Sequence, residues 1–452
     1  MNRLTSSTSA SSRSRLKKKS ATPPHQERLY RMDLKYIVQT IRAEGWAFIF
    51  ICTYLFFEYV RPQSIWTWLD VLPWVPMLLG GALIALFVDQ KRQAAPHVLN
   101  KLMVLYFGVV ILSSVFSQYP SVSFGRLWTF YNWFIIYFLI VKIVTTPARF
   151  FIFFLSFLIY SLKMSQHGFI TWAQRGFSFA DWGVTGAPGF FQNSGELGIQ
   201  MTIYVPMAAA LIIGLRPYWH PLWRVFFYAM PLTGLGTLIA TSSRGAMVGL
   251  AASCVMALVK TRYFFRMLIV VAVLGAIIWQ VVPEEFKARF DTAGDDRTSL
   301  HRIERWEDGW QTINEFPFLG VGHNAWEVYY ANHFSPEISG SNMVHNVFIQ
   351  CGTELGYAGL FALGLLLFYS LKTTRQIRRQ AKEIDERFYY FLTYGFDLGL
   401  VGLLISASFV TVLYYPFLWI YFALVASMQV SFRNGLKSGA LHASENEAAE
   451  LK

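Results

Sequence analysis

The sequence predicts an all-α integral membrane protein with about twelve transmembrane helices and one large periplasmic loop that contains an amphipathic helix. Three observations predict it. Of 452 residues, 54% are hydrophobic and 15% charged, with a mean hydropathy of +0.37, where soluble domains carry about 25% charged residues. Apolar runs of membrane-crossing length recur along the chain, and Lys and Arg are distributed unevenly between the segments that join them. Cys52, Cys254 and Cys351 lie in apolar runs, so no disulfide framework or zinc cluster is legible in them.

Residues 1–44 hold ten Lys/Arg against three acids and too few large apolar residues for a core, so they read as a disordered basic cytoplasmic tail. The first apolar run starts near Gly45 and no small-residue cleavage site follows it, so the first helix should stay in the membrane. The membrane domain, 45–432, is then divided by the ~17–25 residues that a helix needs to cross hydrocarbon. Its runs lie near 44–60, 71–88, 98–117, 124–145, 148–170, 194–215, 222–241, 244–260, 264–282, 346–370, 391–413 and 415–432. Very short turns around Ser242 and Tyr414 separate two pairs of runs, so a re-entrant hairpin would lower the count to ten or eleven. Residues 433–452 form a second cytoplasmic tail.

Basic residues are retained on the cytoplasmic side. With the N-terminus inside, 29 of the 39 Lys/Arg fall inside and nine outside, with Lys163 within a span. The net charge of +12 therefore faces cytoplasm and anionic lipid rather than nucleic acid. The same topology makes 283–344 one extracytoplasmic loop with five basic and eleven acidic residues. Within it, Ile303, Trp306, Trp310 and Ile313 recur at helical spacing from Ser299 to Glu315, and Pro317 ends the run. That helix should lie along the outer boundary, with Arg302 bordering its apolar stripe and Arg305 turned further toward solvent.

Three outer features carry candidate chemistry. Arg244 opens a span between Ser243 and Gly245, and small neighbours leave room for a bulky anion. Arg302 and Arg305 lie on the amphipathic helix; Arg305 reads more readily as a surface ion pair. His345 and Asn346 stand where the loop re-enters the membrane, and a histidine there can accept a proton near neutrality. Glu354, nine residues on, falls about 180° around the helix and reads as an interhelical hydrogen-bonding carboxyl. Arg126, Arg175, Lys163, His167 and Glu196 are further ionisable residues at or near membrane depth, where such groups are costly. Asp295 and Asp296 read as solvated rather than metal-binding. No nucleotide-binding or zinc-protease motif occurs in a suitable context. No cofactor and no metal are expected.

Together these residues suit a site that grips a lipid-linked diphosphate and activates a hydroxyl nucleophile. Guanidinium forks match phosphate oxygens and keep their charge, so two arginines can stabilise a departing diphosphate as a divalent cation would.

On TSSRGAMVGL at 241–250, Arg302 and Trp306 followed by EFPFLGVGHNAW at 315–326, and HNVFIQCGTELGYAGLF at 345–361, the chain resembles the O-antigen ligase and polymerase superfamily of bacterial membrane glycosyltransferases. The resemblance covers roughly residues 190–370. It implies inverting, metal-independent transfer of a glycan from undecaprenyl diphosphate on the periplasmic face of the inner membrane. Arg244 and Arg302 would hold the diphosphate, His345 would serve the acceptor hydroxyl, and Arg305, Ser243, Asn346, Arg126 and Arg175 would contact substrate. FFEYVRPQ at 56–63 looks like a subgroup linked to exopolysaccharide gene clusters, which leaves lipid A core, a growing glycan or a protein hydroxyl as acceptor. A polymerase and a protein O-oligosaccharyltransferase are the alternatives within the class. A lipid-linked glycan flippase, gated by Lys163, Glu196 and Glu354, is the rival outside it.

Overall fold

A computed structural model describes residues 24–89, 95–178, 183–259, 280, 297–334 and 343–441, and every regular element among them is helical. The elements before the first long spans are α1 (Pro24–Tyr30), α2 (Leu34–Ala43), α3 (Trp46–Tyr59), α4 (Pro62–Ile65) and α5 (Trp74–Val88). The middle of the chain forms α6 (Val98–Val115), α7 (Pro120–Gly125), α8 (Trp128–Ile143), α9 (Pro147–Gln174), α10 (Ser194–Leu215), α11 (Pro221–Ala240) and α12 (Arg244–Val259). After residues outside the description come α13 (Arg297–Glu315), α14 (Trp326–His333), α15 (Val347–Glu383), α16 (Arg387–Ala407) and α17 (Pro416–Lys437).

Among the described residues, seven helical stretches are long and apolar enough to cross a membrane, or eight if the bent pair Leu34–Ala43 and Trp46–Ile65 counts as one. Trp74–Val88 and Arg244–Val259 are apolar but shorter, and the run expected at 264–282 lies outside the described residues. The expected count of twelve is thus not reached among the described residues. Hydropathy marks an apolar run wherever it occurs, whereas crossing ~30 Å takes about 20 residues of continuous helix.

The N-terminal expectation also needs correction, because residues 24–43 are helical rather than disordered. A few anchors suffice. Leu29 and Tyr30 are buried, the Tyr30 hydroxyl donates to Glu386 at 2.8 Å, and Trp219 Nε1 donates to the Tyr30 carbonyl at 2.9 Å. At the other end, α17 runs on to Lys437, past the expected boundary at 432. Residues 1–23 and 442–452 of the two tails, like Asp295 and Asp296, lie outside the description.

The core is formed chiefly by α10, which is buried along most of its length and packs against α16, α11 and α12. Near the end where α9 begins, Arg149 is fully buried and its guanidinium is enclosed by acceptors. It donates to Glu44 at 2.7 Å, to Asp89 at 2.9 Å and to the Ile143 carbonyl at 2.9 Å.

Candidate functional site

At the opposite end of the bundle, the site is organised by a break in α15. Gly356 takes φ +63°, which interrupts the helix, and left-handed backbone there suits glycine. The N–H groups of Tyr357 and Ala358, released by the break, donate to the carbonyls of Pro317 at 2.7 Å and Phe318 at 3.3 Å. Val321 N–H in turn donates to the Thr353 carbonyl at 2.8 Å. Segment 317–321 therefore completes the backbone ladder of α15, which apolar surroundings require. This clasp fixes α13 and α14 to the bundle.

α13 lies against the first turns of α15, where Gly309 allows close approach to Ile349 and Trp306 Nε1 donates to the Val344 carbonyl at 2.9 Å. Its buried side comprises Trp306, Gly309, Thr312 and Ile313, whereas Ile303 and Trp310 are exposed. At about 100° per residue, the face that packs is turned by roughly a fifth of a circle from the expected stripe, toward the two arginines. Arg302 and Arg305 are both half-buried and the Arg305 Nε is buried. Arg305 does not point to solvent as expected, because packing of α13 follows Gly309 and Trp306 rather than the bulkiest apolar residues.

The two guanidiniums act on His345. Burial, then the charges of Arg302 and Arg305, lower its imidazole to about 4, so it is neutral at physiological pH. Its backbone is left-handed, φ +51°, and its N–H donates to Thr411 Oγ1 at 2.8 Å. That conformation is uncommon outside glycine and is held here by the Thr411 bond and by Asn346, which caps α15. Asn346 Oδ1 accepts from the N–H groups of Phe348 at 2.9 Å and Ile349 at 3.2 Å, so its side chain is engaged in capping.

The third motif reaches the same turn from the other side. Ser243 Oγ accepts from Ala246 N–H at 3.3 Å, an N-terminal cap for α12. Arg244 is half-buried. A Cβ on Gly245 would meet the Phe409 Cβ at 3.0 Å, and Trp306 also packs on Phe409, with ring centroids 6.2 Å apart. The turn between α16 and α17 thus touches all three motifs, through Phe409 and Thr411. Nothing in the sequence of this turn marks it, since its residues act by contact.

The turn borders a cavity of about 1050 Å³. Its polar wall includes Arg126, Asn324, Gln350, Glu354 and Thr411, and its apolar wall includes Leu79, Leu83, Ile135 and Ile136. Arg126 Nη1 donates to the Asn324 carbonyl at 3.0 Å and lies 3.7 Å from Glu327. Glu354 accepts hydrogen bonds from the Tyr414 hydroxyl and from Asn324 N–H, so it is the hydrogen-bonding carboxyl expected and also part of the cavity wall. Arg244, Arg302, Arg305 and His345 are not among the residues that line the cavity and adjoin it through the turn that carries Thr411, whereas Arg175, Lys163 and His167 are exposed and do not line it. Glu196 accepts from the N–H and Nδ2 of Asn193 at 3.1 and 3.0 Å, a capping box at the start of α10. Among the described residues no group of three or more His, Cys, Asp or Glu side chains is arranged to hold a metal ion.

Three wall or near-wall residues went unselected in the sequence. Glu58 and Arg61 line the cavity. His323 is fully buried, with Nε2 3.2 Å from Thr129 Oγ1 and its ring edge-on to Tyr414 at 4.7 Å. Burial lowers its imidazole to about 4. The available signal was a second His-Asn pair, His323-Asn324, echoing His345-Asn346.

Residues 229–364 match the O-antigen ligase family, a stretch that spans Arg244, Arg302, Arg305 and His345. The match supports membership of the O-antigen ligase superfamily and, at that level, an O-antigen ligase or polymerase type of function. Members of the family are glycosyltransferase-like membrane enzymes, and the apolar helices suggest a multi-pass membrane protein. No curated protein matches the chain.

Proposed function

We propose that the protein is an inverting, metal-independent ligase that moves a preassembled glycan from undecaprenyl diphosphate to an acceptor hydroxyl at the periplasmic face of the bacterial inner membrane. The observation that carries this reading is the gathering of the Arg244, Arg302–Trp306 and His345 motifs on one turn through Phe409 and Thr411, with Thr411 also lining a large cavity. The apolar wall from α5 and α8 suits a polyprenyl chain, and the polar wall suits glycan and diphosphate. In the reaction, the acceptor oxygen attacks the anomeric carbon, its proton passes to the His345 imidazole, and the bond to the diphosphate breaks with its electron pair leaving on the phosphate oxygen. Arg244 and Arg302 stabilise that growing negative charge, and Arg305 adds a third guanidinium. Ser243 and Asn346 support these residues as caps, Arg126 meets substrate from the cavity wall, and Arg175 stays outside the site.

His345 at about 4 is a weak base at neutral pH, and docking of an anionic diphosphate between the guanidiniums would offset the charges that depress it. Donor binding would thereby raise the basicity of the imidazole when the acceptor needs it.

The test is reconstitution with purified lipid-linked donor. Glycan transfer in detergent, where no compartments exist, supports a transferase, and its absence in detergent with transport retained in vesicles would point to a flippase. Arg244→Lys keeps the charge but loses the fork. Transfer should fall by roughly 10²-fold, and a near-normal rate would remove Arg244 from the diphosphate grip.

A further inference from the structure

A buried carboxyl group and a guanidinium three residues apart in sequence stand on the cavity wall without forming an ion pair. Glu58 is 4% exposed at the end of α3, and Arg61 follows at a left-handed turn with φ +51° before Pro62. Both line the cavity. Among the described residues, the buried Glu58 Oε1 and the buried Arg61 Nε have no hydrogen-bond partner, and no ion pair joins the two side chains. The Arg61 guanidinium is instead held against the backbone of Gly189, which has φ +99°, so a Cβ there would collide with it. The adjacent Phe190 lines the cavity and packs on Trp133 and Tyr415 at 5.3 and 5.1 Å.

Leaving a buried carboxyl oxygen and a buried guanidinium nitrogen unsatisfied costs free energy. The arrangement is therefore explained by a ligand that completes both. The ligand must donate to Glu58, accept from Arg61 and present apolar surface to the aromatic wall formed by Trp133, Phe190 and Tyr415. A pyranose ring with neighbouring hydroxyls does all three, since each hydroxyl donates and accepts and the ring's C–H face packs on aromatic side chains. We propose that Glu58 and Arg61 form a sugar-binding subsite in the cavity wall, separate from the residues assigned to the diphosphate. The inference rests on the transferase reading and specifies where that site recognises glycan. The sugar has two possible sources, the acceptor glycan or the first residue of the donor.

The experiment uses the full chain in lipid nanodiscs and octyl β-glucoside below its micellar concentration, followed by tryptophan fluorescence, since Trp128 and Trp133 line the cavity. Wild type should give a saturable response, and Glu58→Gln and Arg61→Gln should each weaken it by about tenfold or more. Glu58→Gln replaces an unsatisfied buried carboxyl at nearly constant shape, so its Tm should equal or exceed that of wild type, which separates lost recognition from misfolding. Equal affinities in all three proteins, or an equal loss for a sugar-free octyl ether, would overturn the subsite. Inorganic pyrophosphate tests the diphosphate site independently. If it fails to bind while the glucoside responds as expected, the transferase reading fails and the subsite stands. Competition by glycosylated but not sugar-free undecaprenyl diphosphate assigns the site to the donor, and lack of competition by either assigns it to the acceptor; both outcomes uphold it.

Discussion

Arginines at the two ends of the bundle have opposite surroundings. Arg149 has acceptors on every side, including two carboxylates and a backbone carbonyl. Arg305 and Arg61 each keep a buried Nε with no hydrogen-bond partner among the described residues, and Arg305 lies beside a histidine that its charge disfavours protonating. The first arrangement holds helices together. The second leaves N–H donors that an anion or a hydroxyl could take up, as the proposed function requires.

The contrast breaks if the outer residues turn out to be structural. His345→Ala should lower glycan transfer by ~10²–10⁴-fold with little change in Tm, and an unfolded variant or an undiminished rate would erase the distinction. Arg149→Met should do the reverse. It leaves Glu44 and Asp89 without their shared partner, at a cost of about 3–5 kcal/mol, seen as a lower unfolding midpoint while the protein that remains folded transfers normally. A transfer defect without destabilisation would place Arg149 in the wrong class.

Acid titration sharpens the comparison. In the proposed mechanism the neutral imidazole is the active form, and its lowered value keeps it neutral until pH falls through about 4. The acid limb of kcat/KM, which reports the free enzyme, should therefore lie near 4 rather than at the usual ~6.5. Arg305→Gln removes one repelling charge and should move that limb upward by roughly one unit; an unmoved limb would show that Arg305 does not act on His345. The smallest effect belongs to Asn346→Ala, which removes the cap of α15 and should cost about 1 kcal/mol of stability, with transfer changed less than in the His345 variant.

Much of the helical framework was legible because apolar composition persists along each run, and the outer motifs were legible because Arg and His are out of place among lipid-like residues. What escaped depended on pairs of distant segments. The rotation of α13 follows from Gly309 meeting Ile349, which no periodicity in 299–315 encodes. The role of the turn at 408–415 comes from Phe409 and Thr411 touching three motifs that are far apart in sequence. Glu58 and Arg61 stood within the FFEYVRPQ motif, yet their failure to pair is a fact of geometry. The helix in 24–43 was missed because composition averages over a window, whereas Tyr30 alone makes hydrogen bonds to two distant partners.

The clasp at Gly356 also bears on how this protein can be re-engineered. Because the carbonyls of Pro317 and Phe318 finish the hydrogen bonding of α15, exchanging the segment that carries them alone would strand two amides in an apolar setting. A chimera intended to change acceptor choice should transplant 297–358 as one cassette, with both halves of the junction drawn from the same parent.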